Sequence, residues 1–416
     1  MLTGWHCFCD KTSVVHIRTT MIFALYSFVL YLPFLLAVFC TVFYSLFMCI
    51  KTWTRHRYPG LPKLYFKDSA LASFLLKRCR LLNRKFDPPW WLRNAHVQTL
   101  IPYLFPLAAT EFDREYLQMK DKGVVALDWV RHLHVHKRKQ CTILIIIPGQ
   151  TGTAVSVSKV CSVAAKKGYR PVVFNQRGFG NSMLTTPKIL SNGDPYDLRQ
   201  VVKYINGMFP KPLITMIGYG TGCSLVLSYL GEYGSSANIS AAACISPCFD
   251  TGERFSKGLL GLYDMLYLLK LKVIINAHCS SLSRFINFKK MLRSWSFKDF
   301  EEVVYSKFYN FANMDDFWEK NNPLRDVDEI AVPLVFINSL DDPFFFRESI
   351  PYDLFQYYPH FFMVTTGKGG HCGFVERICD VSWSEALALD YIDSVLEFAK
   401  KGYTINYGKN RLRSTI

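Results

Sequence analysis

A frame of glycines, Gly218-Tyr219-Gly220-Thr221-Gly222, follows the apolar run Leu213–Ile217 and precedes the helix-compatible stretch Cys223–Leu230. A sharp turn between a strand and a helix exposes its central residue, and small residues on either side let the two elements approach closely. This is the spacing of a nucleophile turn, yet the central position is Gly220, which has no side chain. An acid and a histidine follow in the order such a site needs. Asp342 lies after the run Val332–Ile337, and His371 sits in Gly369-Gly370-His371-Cys372-Gly373, twenty-nine positions later. An acid beside a histidine fixes the imidazole tautomer and stabilises its charged form, making the pair a general base. Asp341 is the adjacent alternative acid and Asp250 a more remote one. Pro148-Gly149-Gln150-Thr151-Gly152 ends another apolar run. Backbone N–H groups of Gln150 and Thr221 are the candidates for stabilising an oxyanion.

Substitutes for the missing nucleophile are weak. Centring the frame on Thr221 puts Tyr219 at a position where strand and helix leave no room. Cys223 and Ser224 begin the helix, where the helix N-terminus can lower a thiol's pKa, and are weak substitutes; the plainer reading of Thr221, Cys223 and Ser224 is helix capping and packing. Water activated by His371 is a further route, slow because no covalent intermediate divides the reaction. His132, His134 and His136 alternate beside Lys137, Arg138 and Lys139 with no acid or cysteine, which fits a solvated face better than a metal site. Cys7 and Cys9 lack a second pair. No metal and no cofactor is expected.

These groups need a scaffold that brings distant loops to one edge. Short apolar strands (Cys141–Ile147, Pro171–Phe174, Leu213–Ile217, Ala241–Ile245, Val332–Ile337, Phe361–Thr365) alternate with helical stretches such as Asp194–Phe209 and Trp383–Lys400. That alternation predicts an α/β fold with a mostly parallel sheet covered on both faces, and ligands bind at the strand ends of such sheets. Between about 247 and 325 the alternation stops, and leucine and aromatic residues dominate, as in the stretch Gly258–Ile275. A mostly helical cap is expected there.

The segments Leu227–Ser236 (LSYLGEYGSS), Ala242–Pro247 (AACISP), Asn322–Pro333 (NPLRDVDEIAVP) and Gly369–Phe374 (GGHCGF) make the chain resemble the YheT-like branch of the α/β-hydrolase superfamily. So does the Asn175–Ser182 stretch, NQRGFGNS. The likeness runs from about Leu64 to Lys400. It implies a single hydrolase domain with a helical cap, a catalytic pair at Asp342 and His371, and a role in lipid metabolism. Gly220 is where the chain departs from the family pattern. Three functions follow: a lipid- or protein-binding protein that has lost its turnover, an ester or acylglycerol hydrolase working through an unusual nucleophile or water, or a membrane scaffold recruiting a partner enzyme.

The rest of the sequence concerns a membrane. Half of the 416 residues are apolar, and Met21–Ile50 contains no charge, long enough for a transmembrane helix. Basic residues crowd its C-terminal side, so the positive-inside rule places the body in the cytosol. A secreted or luminal protein is the alternative if the run is a signal sequence. The formal charge is +16, but Lys51–Arg93 carries eleven basic residues against two acids, and five more lie from Lys400 onward with no acid. A nucleic-acid binder spreads its basic face over a recognition module, so nucleic acid is excluded as the expected partner and membrane lipid favoured. Cys49, at the membrane edge, is a candidate for acylation. The expected organisation is a short segment 1–20, an anchor 21–50, a basic lead-in 51–110, a hydrolase domain 111–401 and a basic tail 402–416.

Overall fold

The structure, a computed structural model, describes residues 39–41, 43–45, 47–48, 61–105, 109–131, 142–250, 252, 261–345 and 347–402. The chain falls into two units, 1–57 and 58–416, and every element named below belongs to the second. Most of the Met21–Ile50 run lies outside the described residues, as do Cys49, His132, His134, His136, Phe346 and the tail from residue 403. Among the described residues no helix is long and apolar enough to cross a membrane.

Nine strands form one sheet: β1 (Lys63–Phe66), β2 (Phe112–Gln118), β3 (Val124–Val130), β4 (Thr142–Ile147), β5 (Tyr169–Asn175), β6 (Leu213–Tyr219), β7 (Ala241–Ile245), β8 (Leu334–Ser339) and β9 (Phe361–Thr366). Their order is β1-β9-β8-β7-β6-β4-β5-β3-β2. The six strands β4 to β9 run parallel, while β1, β3 and β2 join antiparallel at the edges. In β4 the side chains alternate between two cores, with Ile143, Ile145 and Ile147 on one face and Leu144 and Ile146 on the other. A strand buried on both faces must be apolar at every position, which is why this run shows no polar alternation.

The helices in chain order are α1 (Ala70–Arg78), α2 (Ala95–Leu104), α3 (Ser158–Lys166), α4 (Tyr196–Met208), α5 (Thr221–Tyr233), α6 (Leu262–Asn276), α7 (Cys279–Leu282), α8 (Phe288–Arg293), α9 (Phe297–Tyr305), α10 (Met314–Lys320), α11 (Tyr352–Tyr357) and α12 (Trp383–Lys400). Residues of α1, α3 and α12 close one face of the sheet, among them Leu75, Val160 and Leu387. Residues of α4, α5 and α11 close the other, including Val201, Val226 and Phe355. Helices α6 to α10, between β7 and β8, have a core of their own, and Phe179, Leu184 and Ile189 from the loop after β5 complete it.

Two features differ from the expected organisation. The hairpin β2–β3 carries no strong pattern because β2 is an edge strand with its outer residues in solvent. The lead-in ending at 110 is not separate from the sheet: β1 pairs with β9, Lys63 opposite Thr365, and α1 packs in the core beside α12. A strand of four residues is too short for its period to be legible.

Candidate active site

The turn from β6 to α5 is built on close approach. A Cβ on Gly222 would lie 2.4 Å from the Ile147 carbonyl oxygen, and one on Gly218 would lie 2.9 Å from Cys223 Cα. Both positions therefore admit only glycine. Gly220 itself has φ +50° and ψ −118°, a conformation that costs any side-chain-bearing residue strain. Its N–H donates to the Ile245 carbonyl at 2.9 Å. The strained geometry of a nucleophile turn is thus present in full, without the nucleophile.

Beyond β8 the acid is Asp342. Its Oδ1 accepts from the backbone N–H groups of Phe344 at 2.8 Å and Phe345 at 3.2 Å, and its Oδ2 lies 2.9 Å from His371 Nδ1. The carboxylate is fixed by its own loop and aimed at the imidazole. Asp341, its neighbour, instead accepts from the Gly370 N–H at 3.0 Å and pairs with Lys368 at 3.5 Å. So Asp341 shapes the histidine loop, while Nδ1 of His371 is taken by Asp342 and neither by Asp341 nor by Asp250. Burial disfavours the imidazolium, but the adjacent Asp342 charge, with Cys372 beside it, raises the His371 pKa well above its ordinary value.

Helix α2 holds the histidine loop in place. Asn94 caps it, accepting from His96 and Val97 N–H groups. Thr99 Oγ1 accepts from the His371 N–H at 2.9 Å, and Gln98 both donates to the Val375 carbonyl at 3.0 Å and accepts from its N–H at 2.7 Å. Close backbone packing needs Gly370 and Gly373, where a Cβ would lie 2.5 Å from Ala95 O and 2.4 Å from Gln98 O. From the sequence this stretch reads only as an irregular packed lead-in. Nothing in its composition ties Gln98 and Thr99 to a loop more than 270 positions away.

The two expected oxyanion donors stand together, but one is already engaged. The Gln150 N–H donates to Thr221 Oγ1 at 2.9 Å. The Gln150 side chain is also held: Nε2 donates to Tyr305 at 3.4 Å, and Oε1 accepts from Tyr267 and Asn192, each at 3.1 Å. Tyr267 and Tyr305 belong to α6 and α9, so the cap is fastened directly to the floor of the site.

Cys223, the weak substitute, packs instead of facing the site, as the plainer reading has it. Its side chain is buried in the core on the α4–α5 face of the sheet, and its thiol donates to the Ile245 carbonyl at 3.4 Å. Burial, reinforced by Cys244, raises the thiol pKa well above normal. Helix rotation is the reason: three residues past Gly220 along α5, the side chain faces the sheet, and Ser224 is buried beside it. The thiol that does reach the cavity wall is Cys372, next to His371, with Sγ 3.9 Å from the place of a Gly220 Cβ. It donates to the Ile245 carbonyl at 3.7 Å and packs toward the core.

These residues surround a cavity of about 160 Å³ whose lining includes Gln150, Gly220, Thr221, His371, Tyr103, Phe105 and Tyr267. Phe344 and Phe345 flank His371, with ring centroids 4.6 and 5.2 Å from the imidazole. Glu385 also lines the cavity. It accepts from the Tyr219 hydroxyl at 3.0 Å and from the Ser382 N–H at 2.8 Å, and burial raises its pKa. In the sequence Glu385 reads only as a helix residue. Its capping box with Ser382 is the signal that fixes its position.

A mostly parallel sheet with a glycine turn after β6, an acid after β8 and a histidine after β9 defines the α/β-hydrolase fold, and this chain belongs to that family: the model described as alpha/beta hydrolase fold matches residues 142–378. Among known proteins it is similar to Homo sapiens Protein ABHD15, 36% identical over 374 residues that cover 87% of this chain and 80% of that protein. It is also similar to Homo sapiens Phospholipase ABHD3, 27% identical over 328 residues, covering 76% and 80% of the two chains. Homo sapiens Monoacylglycerol lipase ABHD2 is 25% identical over 376 residues, covering 82% and 87%. The family read from the four sequence segments is the family found.

Proposed function

We propose that this protein binds a lipid or acyl ester in the α/β-hydrolase cavity without efficient turnover. The observation that carries the reading is the pairing of an empty nucleophile position at Gly220 with a Gln150 N–H already donated to Thr221. Losing the nucleophile removes the covalent intermediate. Engaging an oxyanion donor removes a further transition-state interaction, of the kind whose single loss costs about 10²–10³-fold in rate. What remains is a cavity with apolar and aromatic walls, suited to an acyl chain. The phospholipase and monoacylglycerol lipase activities named for two relatives support lipid as the ligand class. On this reading Met21–Ile50 anchors the protein in a membrane and the body lies in the cytosol, as the flanking basic residues favour.

The Asp342–His371 pair supports one second reading, slow hydrolysis by water that the imidazole activates. Treatment of the full-length protein with a fluorophosphonate probe, beside native mass spectrometry for co-purified lipid, tests the first reading. The expected result is bound lipid and no covalent adduct. An adduct that disappears in His371→Ala would sink it. Lipid-ester hydrolysis without an adduct, lost in the same variant, would replace it with the water mechanism.

A further inference from the structure

Helix α6 is apolar around most of its circumference, yet the cap covers only part of it. Leu262, Leu266, Leu269 and Val273 are spaced 4, 3 and 4 residues apart, forming one stripe along the helix, and are 63%, 48%, 39% and 70% exposed. Helix α2 presents a matching set, Leu100, Tyr103 and Leu104, with Phe105 just beyond its end, all exposed. The two helices touch: His96 Nδ1 lies 2.9 Å from the Tyr263 hydroxyl, and the Lys270 ammonium sits 5.1 Å from the Tyr103 ring centroid. Tyr103 and Phe105 also line the cavity, together with Asp264 and Tyr267. The outward apolar surface is therefore continuous with the wall of the site.

The same surface extends to the end of α8. Lys272 donates to the Leu292 carbonyl at 3.1 Å and to the Ser294 carbonyl, and lies 4.9 Å from the Trp295 ring centroid. Trp295 is 62% exposed, and Leu292 is exposed beside it. The charge here is one-signed. Between Asp264 and Asp299 the chain has seven Lys and Arg residues and no Asp or Glu. Six of them, Lys270, Arg284, Lys289, Lys290, Arg293 and Lys298, are exposed. Leucine and tryptophan edged by lysine and arginine is the composition of a surface that lies in the headgroup region of a bilayer. The cations attract anionic headgroups over roughly a Debye length.

We infer that the face formed by α2, α6 and α8 docks on an anionic lipid bilayer, turning the cavity wall toward the membrane. The apolar stripe enters the acyl boundary, Trp295 sits at headgroup level, and the basic residues of α8 meet the anionic lipid. Docking deepens the lipid-binding reading but does not need it, since occupancy of the cavity is measured separately by native mass spectrometry.

Hydrogen exchange of the full-length protein in nanodiscs tests the inference locally, whatever holds the N-terminus. The expected result is several-fold slower exchange of peptides covering 262–276 and 288–296 when phosphatidylserine joins phosphatidylcholine. High salt and the combined variant Lys289→Glu, Lys290→Glu, Arg293→Glu should each reverse it. The pair Leu266→Asn and Val273→Asn, both at exposed positions, should also reverse it while leaving the thermal melt unchanged. Exchange identical in detergent and in both nanodiscs would overturn the proposal. So would protection that tracks protein concentration rather than lipid, which would make the face an interface between copies.

Discussion

The Nε2 atom of His371 stands 3.0 Å from the point where a Cβ on Gly220 would lie. The general base thus occupies part of the space that a nucleophile's side chain would fill, while its other nitrogen stays on Asp342. With no side chain at position 220, the rest of the arrangement stands around a gap.

Gly220→Ser should restore covalent reactivity. His371 must retreat by a few tenths of an ångström, and serine must adopt a positive φ, which costs about 1–3 kcal/mol. The expected outcome is a small fall in melting temperature together with a fluorophosphonate adduct at position 220, both absent in the parent. An adduct lost on adding His371→Ala confirms that the base still works.

Thr221→Ala should free the Gln150 N–H. In the Gly220→Ser background the rate of phosphonylation should then rise by about tenfold or more, because an oxyanion donor becomes available. Stopped-flow labelling measures it. An unchanged rate would show that the Thr221 hydroxyl does not compete with the oxyanion.

Asp342→Asn should reverse the direction of the His371 shift. With the carboxylate removed, burial is the main remaining influence, and it pushes the imidazole pKa below its ordinary value of about 6.5. A histidine whose folded pKa is raised contributes stability that is full below its unfolded pKa and is lost as pH rises through the folded pKa. The variant should therefore lose stability most on the acid side, by about 3 kcal/mol if the pair behaves like other buried pairs broken on one side. Nuclear magnetic resonance titration of the histidine and denaturant melts at two pH values check both parts.

Glu301 gives the cap its own pH response. Burial raises its carboxyl pKa to about 7, partly offset by the Trp318 indole N–H, which donates to it at 2.8 Å. With the folded pKa above the unfolded value of 4.5, stability is greatest below pH 4.5 and declines as pH rises toward 7. The loss is at most about 3 kcal/mol, less whatever solvent offsets. Glu301→Gln should flatten that decline, read from thermal melts across the same range.

Arg177 ties three elements together. The side chain is 1% exposed and holds Asp197 of α4 through two bonds at 2.7 and 2.5 Å and Asp121 of the β2–β3 turn at 2.9 Å. Arg177→Ala leaves two acids without their cation and should cost about 3–5 kcal/mol in denaturant melts. Arg177→Lys should recover only part of this, because an ammonium cannot reproduce the fork that guanidinium presents to Asp197.

Much of the fold is legible from local chemistry. Uninterrupted apolar strands such as Ile143–Ile147 can only be central parallel strands, and Trp383–Lys400 carries its own capping box, so its bounds are read directly. The glycine turn is legible for the same reason: the outer two of three glycines at two-residue spacing, Gly218 and Gly222, answer contacts that no side chain permits. The strand β1 is less legible, because four residues carry too little pattern, and so is the role of α2.

By itself the sequence determined the family, the order of turn, acid and histidine, and the absence of a side chain at the position where a nucleophile would stand. Each of these follows from residue type and chain order. Only the tertiary structure decided that Asp342 rather than Asp341 faces His371, that Cys223 turns into the core, and that Thr221 takes the Gln150 N–H. It alone shows that Thr99 and Gln98 brace the histidine loop. Adjacent acids have the same chemistry and differ only in direction, and a helix turns each successive side chain by about 100°. Direction is set by packing across the whole sheet, and no local stretch of sequence contains it.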